Sequence, residues 1–193
     1  MRSTRPNRIQ IRIPAFAALL IALAALSACR KHGPQHASSK PVAMPAVDRS
    51  TPETIAASAL HCIAAELDAI ARGDTVAAEK LHAALLSLAD TVAIRQFVAA
   101  DPRYEALLGD DPVAGMADLW EASVAYYVRG VDYATLRRTA VNGKRASVSV
   151  AARGVDDTAT IKIVCGQTAA GDWRIERIEP GPAASAAATP AGP

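Results

Sequence analysis

The apolar residues of this chain change their spacing near Gly130, and that change calls for a fold in two parts. Before it they recur every three or four residues. Ala56, Leu60, Ile63, Leu67 and Ile70 make one stripe, and Ala78, Leu81, Leu85 and Leu88 make another. Such spacing lines up side chains on one face of a helix. After Gly130 the period drops to two. Ala146, Val148 and Val150 alternate with Ser147 and Ser149, and Ala159, Ile161, Ile163 and Cys165 share one parity. That is the pattern of a strand with one buried and one wetted face.

Local signals set the expected boundaries. Thr51-Pro52-Glu53 reads as a cap followed by proline in the first helical turn. Gly73 ends that helix and Asp74 caps the next. Asp90 caps a short helix through Val92, Ile94 and Phe97, which stops at Asp101-Pro102. Asp111-Pro112 opens another, striped by Val113, Met116, Trp120, Val124 and Tyr127 and closed at Gly130. Strands are expected over residues 131–141, 145–152, 158–165 and 173–178. Asn142-Gly143 predicts a two-residue hairpin loop, because both residues tolerate the positive φ of a type I′ turn. Strands joined by short turns form an antiparallel meander, and its apolar face needs the preceding helices as cover. The expected class is therefore α+β, with N-terminal helices packed on one face of a four-stranded antiparallel meander.

The first 28 residues have a different character. Arg2, Arg5, Arg8 and Arg12 precede an apolar run from Ala15 to Leu26, with no acidic residue among them. The run is shorter than the roughly 20 residues that cross a bilayer. A basic start, an apolar centre and small residues at its end mark an export signal. The run leads into Leu26-Ser27-Ala28-Cys29, which resembles the lipobox of bacterial lipoproteins. This resemblance implies cleavage after residue 28 and acylation of Cys29 by diacylglycerol and a further chain such as palmitate. Several chains anchor stably where a single chain does not. In that family an aspartate after the cysteine favours the inner membrane. Arg30 stands here, so the resemblance implies the outer membrane of a Gram-negative cell, facing the periplasm.

The charge balance follows from this division. The chain has 21 Lys and Arg against 19 Asp and Glu, and removing the four signal arginines leaves 17 against 19. A mature part slightly on the acidic side has no electrostatic footprint for nucleic acid. Residues 29–51 carry three Pro, three Ser and one Gly without apolar periodicity, which reads as a lipidated flexible tether. Residues 52–179 make one domain, and the low-complexity residues 180–193 read as a disordered tail.

Two opening helices around "LDAIARGD" and a meander ending in "GDWRIERIEP" resemble the nuclear-transport-factor-two-like (cystatin-like) superfamily. That resemblance implies a cone-shaped α+β domain over residues 52–179. The chain departs from the family where residues 91–129 read as continuously helical. The superfamily holds enzymes, carriers and interaction domains, so the fold alone assigns no activity.

Few residues suggest chemistry. The chain has no phosphate-binding glycine loop, HExxH pair or nucleophile-elbow serine, and no cofactor or metal is expected. His32 and His36 flank Gly33-Pro34 in the tether, while His61 and His82 fall on the polar flanks of their helices and read as surface residues. Glu66 is the exception. On a helical wheel it falls between Ile55 and Ala59, one turn past Cys62, inside the apolar arc. With an Asn142-Gly143 loop, Arg137 lies opposite Val148 and shares its inward face. A Glu66–Arg137 pair would mark a polar pocket lined by Tyr127 and Tyr133. In the alternative, Glu66 sits at a rim and a bulge turns Arg137 outward. Two readings also stay open for Cys62 and Cys165: a disulfide, which an oxidising compartment permits, or two buried thiols.

Function stays open between two classes. One is a non-catalytic module of the cell envelope that binds a protein or another envelope component. The other is a carrier of a small apolar ligand, or an isomerase-like enzyme, with Glu66 as the polar group of a pocket between sheet and helices.

Overall fold

A computed structural model describes residues 44–181. The lipobox, Cys29, the first part of the expected tether and the tail beyond Gly181 lie outside the described residues. Among the described residues five α-helices run in order, α1 Pro52–Ala71, α2 Thr75–Leu88, α3 Thr91–Ala99, α4 Pro102–Leu108 and α5 Pro112–Val124. A 3-10 turn at Val128–Gly130 leads into β1 Val131–Asn142, β2 Arg145–Arg153, β3 Thr158–Gln167 and β4 Trp173–Gly181. The strands form one sheet in the order β1-β2-β3-β4, each antiparallel to its neighbour. The α+β class and the meander are as the sequence predicts.

The helix starts follow one local rule. Thr51 caps α1 in a reciprocal box with Thr54: each side-chain oxygen accepts from the other residue's backbone N–H at 3.1 Å. Asp74, Asp90, Asp101 and Asp111 then cap α2 to α5, each carboxylate accepting from N–H groups of the first turn. These N–H groups have no partner inside the helix, which is why a short polar side chain is favoured there. The seven-residue α4 is an addition to the expected elements. Pro102 both stops α3 and supplies a preset φ at the start of α4.

Helix α1 packs against all four strands and against α2, while α5 packs against β4, α2, α3 and α4. Ile55, Leu60, Ile63, Leu85, Leu88, Ile94, Trp120, Val148, Ile161, Ile163 and Ile175 are at most 1 % exposed and belong to one apolar cluster. A smaller cluster of Ala69, Ala78 and Leu81 seals α1 against α2. The far edge of the sheet is closed by the chain leaving α2. Ala89 bridges Ile175 in parallel, and Asp90 N–H donates to the Ile175 carbonyl at 2.7 Å.

Three expectations need correction. The hairpin loop is Gly143-Lys144 rather than Asn142-Gly143, because Asn142 pairs with Arg145. Gly143 has φ +58° and no other residue of the loop is left-handed, the requirement of a type II′ turn. The Lys144 carbonyl accepts from Gln167 N–H at 2.7 Å, so β3 helps to hold this loop. A bulge between Arg138 and Ala140 then puts Arg138, not Arg137, opposite Val148, while Arg137 faces Ser149 and is exposed. Second, part of the expected tether is docked. The Arg49 carbonyl accepts from Trp173 N–H at 3.0 Å, Asp48 N–H donates to Ser58 Oγ, and the Arg49 guanidinium bonds Ser87. Third, β4 runs to Gly181, two residues past the expected boundary at 179.

Gly130 shows how tightly the helical half meets the sheet. A Cβ added there would lie 2.0 Å from the Arg153 carbonyl oxygen, so only glycine lets the turn pass the end of β2.

Candidate functional site

Glu66 is the buried carboxylate that the helical wheel singles out, and it is 5 % exposed. Its neighbours are not those expected. Helix α1 turns Glu66 toward α2 and α5, where it meets His82 and Glu121. Each of these two follows a fully packed anchor in sequence, His82 after Leu81 and Glu121 after Trp120. An anchor aimed into the core leaves the next residue about 100° round the helix, on the flank of the apolar stripe. Three flanks meet here, and one donor atom from each residue lies within 4.8 Å of the others.

The His82 Nδ1–H donates to Glu121 Oε1 at 3.0 Å, and Nδ1 stands 3.4 Å from Glu66 Oε1. One N–H cannot point at both acceptors, so the nearer carboxylate has the better bond. Glu66 Oε2 is buried without a hydrogen-bond partner. The side chains of His82 and Glu121 keep 24 % and 13 % of their surface, so the cluster opens to solvent on that side.

Electrostatics follow from this crowding. Hydrogen bonds to Glu121 and then Glu66 push the His82 imidazole up to about 10, against the opposing effect of burial. It is therefore cationic at neutral pH. Burial pushes Glu121 up to about 7; the bond to His82 opposes the rise, and the neighbouring Glu66 adds to it. Burial, with the Glu66 charge nearby, raises the Cys62 thiol to about 11. Cys165 is raised to about 12, chiefly by burial. Neither is a nucleophile near neutral pH, since the thiolate is the reactive form. Both thiols are free and buried, and Cys165 Sγ lies 3.9 Å from the Pro52 carbonyl oxygen.

The other residues singled out in the sequence do not join Glu66. Arg137 is exposed on β1. Its neighbour Arg138 makes the α1–β1 ion pair instead, with both guanidinium bonds going to Glu53 at 2.8 and 3.0 Å. Tyr127 donates to Asp157 Oδ2 at 2.9 Å, and Tyr126 stands edge-on to it while accepting from Asp156 N–H. The two tyrosines thus clasp the β2–β3 turn. Tyr133 packs on His61 with ring centroids 4.4 Å apart, and burial pushes its phenol up to about 12. His61 is exposed as expected, but His82 is the central cation of the cluster rather than a free surface residue.

Away from this cluster, a concavity of about 240 Å³ lies beside β4 and is lined by Ala93, Phe97, Arg145, Glu176 and Arg177. Arg145 pairs with Glu176 across it, and the Arg177 guanidinium sits 5.4 Å from the centre of the Phe97 ring. Its charges are thus already engaged with partners of their own.

No protein-family model, curated protein or solved structure matches this chain.

Proposed function

We propose that this protein is a lipid-anchored lipoprotein of the outer membrane, with Cys29 acylated, residues 1–28 removed and a binding domain facing the periplasm. The domain is of the nuclear-transport-factor-two-like (cystatin-like) kind and works without catalysis. The lipobox resemblance of Leu26-Ser27-Ala28-Cys29, directly after a basic and then apolar segment, supports the anchor. The helix-then-meander order supports the kinship in fold.

The observation that carries the binding reading is the packing between helices and sheet. A carrier or isomerase-like enzyme needs room against the apolar sheet face. Here Ile55, Leu60, Ile63 and Trp120 join Val148, Ile161 and Ile163 in one cluster, each at most 1 % exposed. Glu66, the polar group that such a pocket would use, faces α2 and α5. The surfaces left for a partner are the outward sheet face, with Ser149 and Lys162, and the helix rim.

The test has two arms. Labelled palmitate should enter the wild-type protein and be lost from Cys29→Ser, which should also leave the outer-membrane fraction. Crosslinking in intact cells should then recover a reproducible envelope partner. Unlabelled wild-type protein would overturn the anchor, and crosslinking without a partner would overturn the binding role.

A further inference from the structure

We propose that Glu66, His82 and Glu121 form a site for a divalent transition-metal cation of the zinc type. One oxygen of each carboxylate and Nδ1 of His82 would serve as ligands. The site belongs to the folded domain and does not depend on the membrane anchor.

Geometry is the first support. Zinc takes carboxylate oxygen and imidazole nitrogen at about 2.0–2.2 Å in tetrahedral array, so its ligand atoms stand roughly 3.3–3.6 Å apart. His82 Nδ1 is 3.4 Å from Glu66 Oε1 and 3.0 Å from Glu121 Oε1. The second pair needs only a few tenths of an ångström of spreading, within reach of one rotamer adjustment. The three donors come from α1, α2 and α5, and binding would pin the three helices at one point. Three protein ligands leave the fourth position for water on the exposed His82 side.

Charge and hydrogen bonding point the same way. Two carboxylates and a neutral imidazole carry a formal charge of −2, which a dication cancels. A proton on His82 cancels only half of it. Glu66, one of the two carboxylates, is 5 % exposed and has one oxygen, Oε2, with no hydrogen-bond partner. Such an orphan acceptor in a native fold calls for an explanation, and an ion is one of the ordinary ones. The imidazole selects among ions. Oxygen-only sites suit magnesium and calcium, whereas nitrogen ligands suit zinc and its neighbours. Binding moves the His82 Nδ1 proton to solvent and puts the metal–nitrogen bond in its place.

The test uses the full-length protein in detergent, stripped with a chelator and titrated with Zn2+ by calorimetry, with Mg2+ and Ca2+ in parallel. One Zn2+ per chain should bind and raise the melting temperature, while Mg2+ and Ca2+ at equal concentration should not. Glu66→Gln and His82→Ala should each weaken binding at least about tenfold, the lower end of the loss seen when even a ligand's supporting partner is removed. Glu66→Gln keeps the size of the side chain, so its far-UV spectrum and cooperative melt check that it is folded. A His32→Ala/His36→Ala variant should keep full binding, which separates the cluster from the histidines near Cys29. Co2+ in place of Zn2+ should give visible d–d bands that vanish in His82→Ala. Absence of Zn2+ binding, or binding that survives Glu66→Gln and His82→Ala, overturns the proposal.

Discussion

Helix α1 has two kinds of neighbour. Toward the sheet it lies in a dry cluster where Ile55, Leu60, Ile63, Ile161 and Ile163 have no exposed surface. Toward α2 and α5 it presents Glu66 to an imidazole and a second carboxylate. Apolar burial is non-directional and tolerates small adjustments. The polar seam has its donors and acceptors at set distances, and one acceptor is left over. The first interface therefore holds the fold together, and the second is where chemistry can be added.

Breaking the dry side should cost most. Ile163→Ala should lower unfolding free energy by about 2–5 kcal/mol in urea titrations, the range for a buried aliphatic truncated to alanine. It should leave the pH dependence of stability parallel to that of wild type, because no ionisable group of the seam is touched.

Breaking the polar side should cost less and depend on pH. His82→Leu leaves Glu66 and Glu121 facing each other without a cation, which should destabilise by about 1–3 kcal/mol at pH 8, the cost of unsatisfied buried polar groups. At pH 10 the loss should shrink, because the contribution of His82, raised from 6.5 to about 10 on folding, disappears as pH rises through that range. Equal losses at the two pH values would show that the seam acts by shape alone.

In metal-free wild type the seam should give stability a definite slope. His82 is raised from 6.5 to about 10 on folding, so its contribution is complete below pH 6.5 and disappears as pH rises through about 10. Glu121, raised from 4.5 to about 7, has the same sign, its contribution fading between those values. Urea midpoints should therefore fall from pH 6 to pH 10 in wild type, and much less in His82→Leu.

The smallest effect sharpens the register. Arg138→Ala removes the ion pair to Glu53 and should shift the urea midpoint slightly, since exposed pairs contribute little. Arg137→Ala should leave it unchanged. The reverse order would return Arg137 to the inward face.

The sequence revealed most where a pattern repeats. Stripes such as Leu81, Leu85 and Leu88 marked helices, and the alternation from Ala146 to Val150 marked a strand, because each residue adds to the same signal. Single contacts between distant segments were not legible. Asn142-Gly143 and Gly143-Lys144 both place a glycine in the turn, and the Gln167 bond to Lys144 is one the hairpin residues do not reveal. Docking of residues 46–50 depends on Trp173, more than 100 positions away. Glu66 stood out because a carboxylate in an apolar arc violates the pattern. His82 and Glu121 did not, since a polar residue beside a core anchor looks like any solvated flank until the facing helix is known.

The order of the elements also sets a timetable. Every strand pairs with its neighbour in sequence, so the meander can assemble by successive hairpins as the chain emerges. Helix α1 appears first but needs all four strands, and the contact of Pro52 with Cys165 spans 113 positions. Emerging N-terminus first into the compartment where it folds, α1 must therefore wait with its apolar stripe uncovered until β4 arrives. Meanwhile α2 shields only one flank of it. The last nine residues of the sheet, Trp173–Gly181, thus decide when the molecule stops being vulnerable to aggregation.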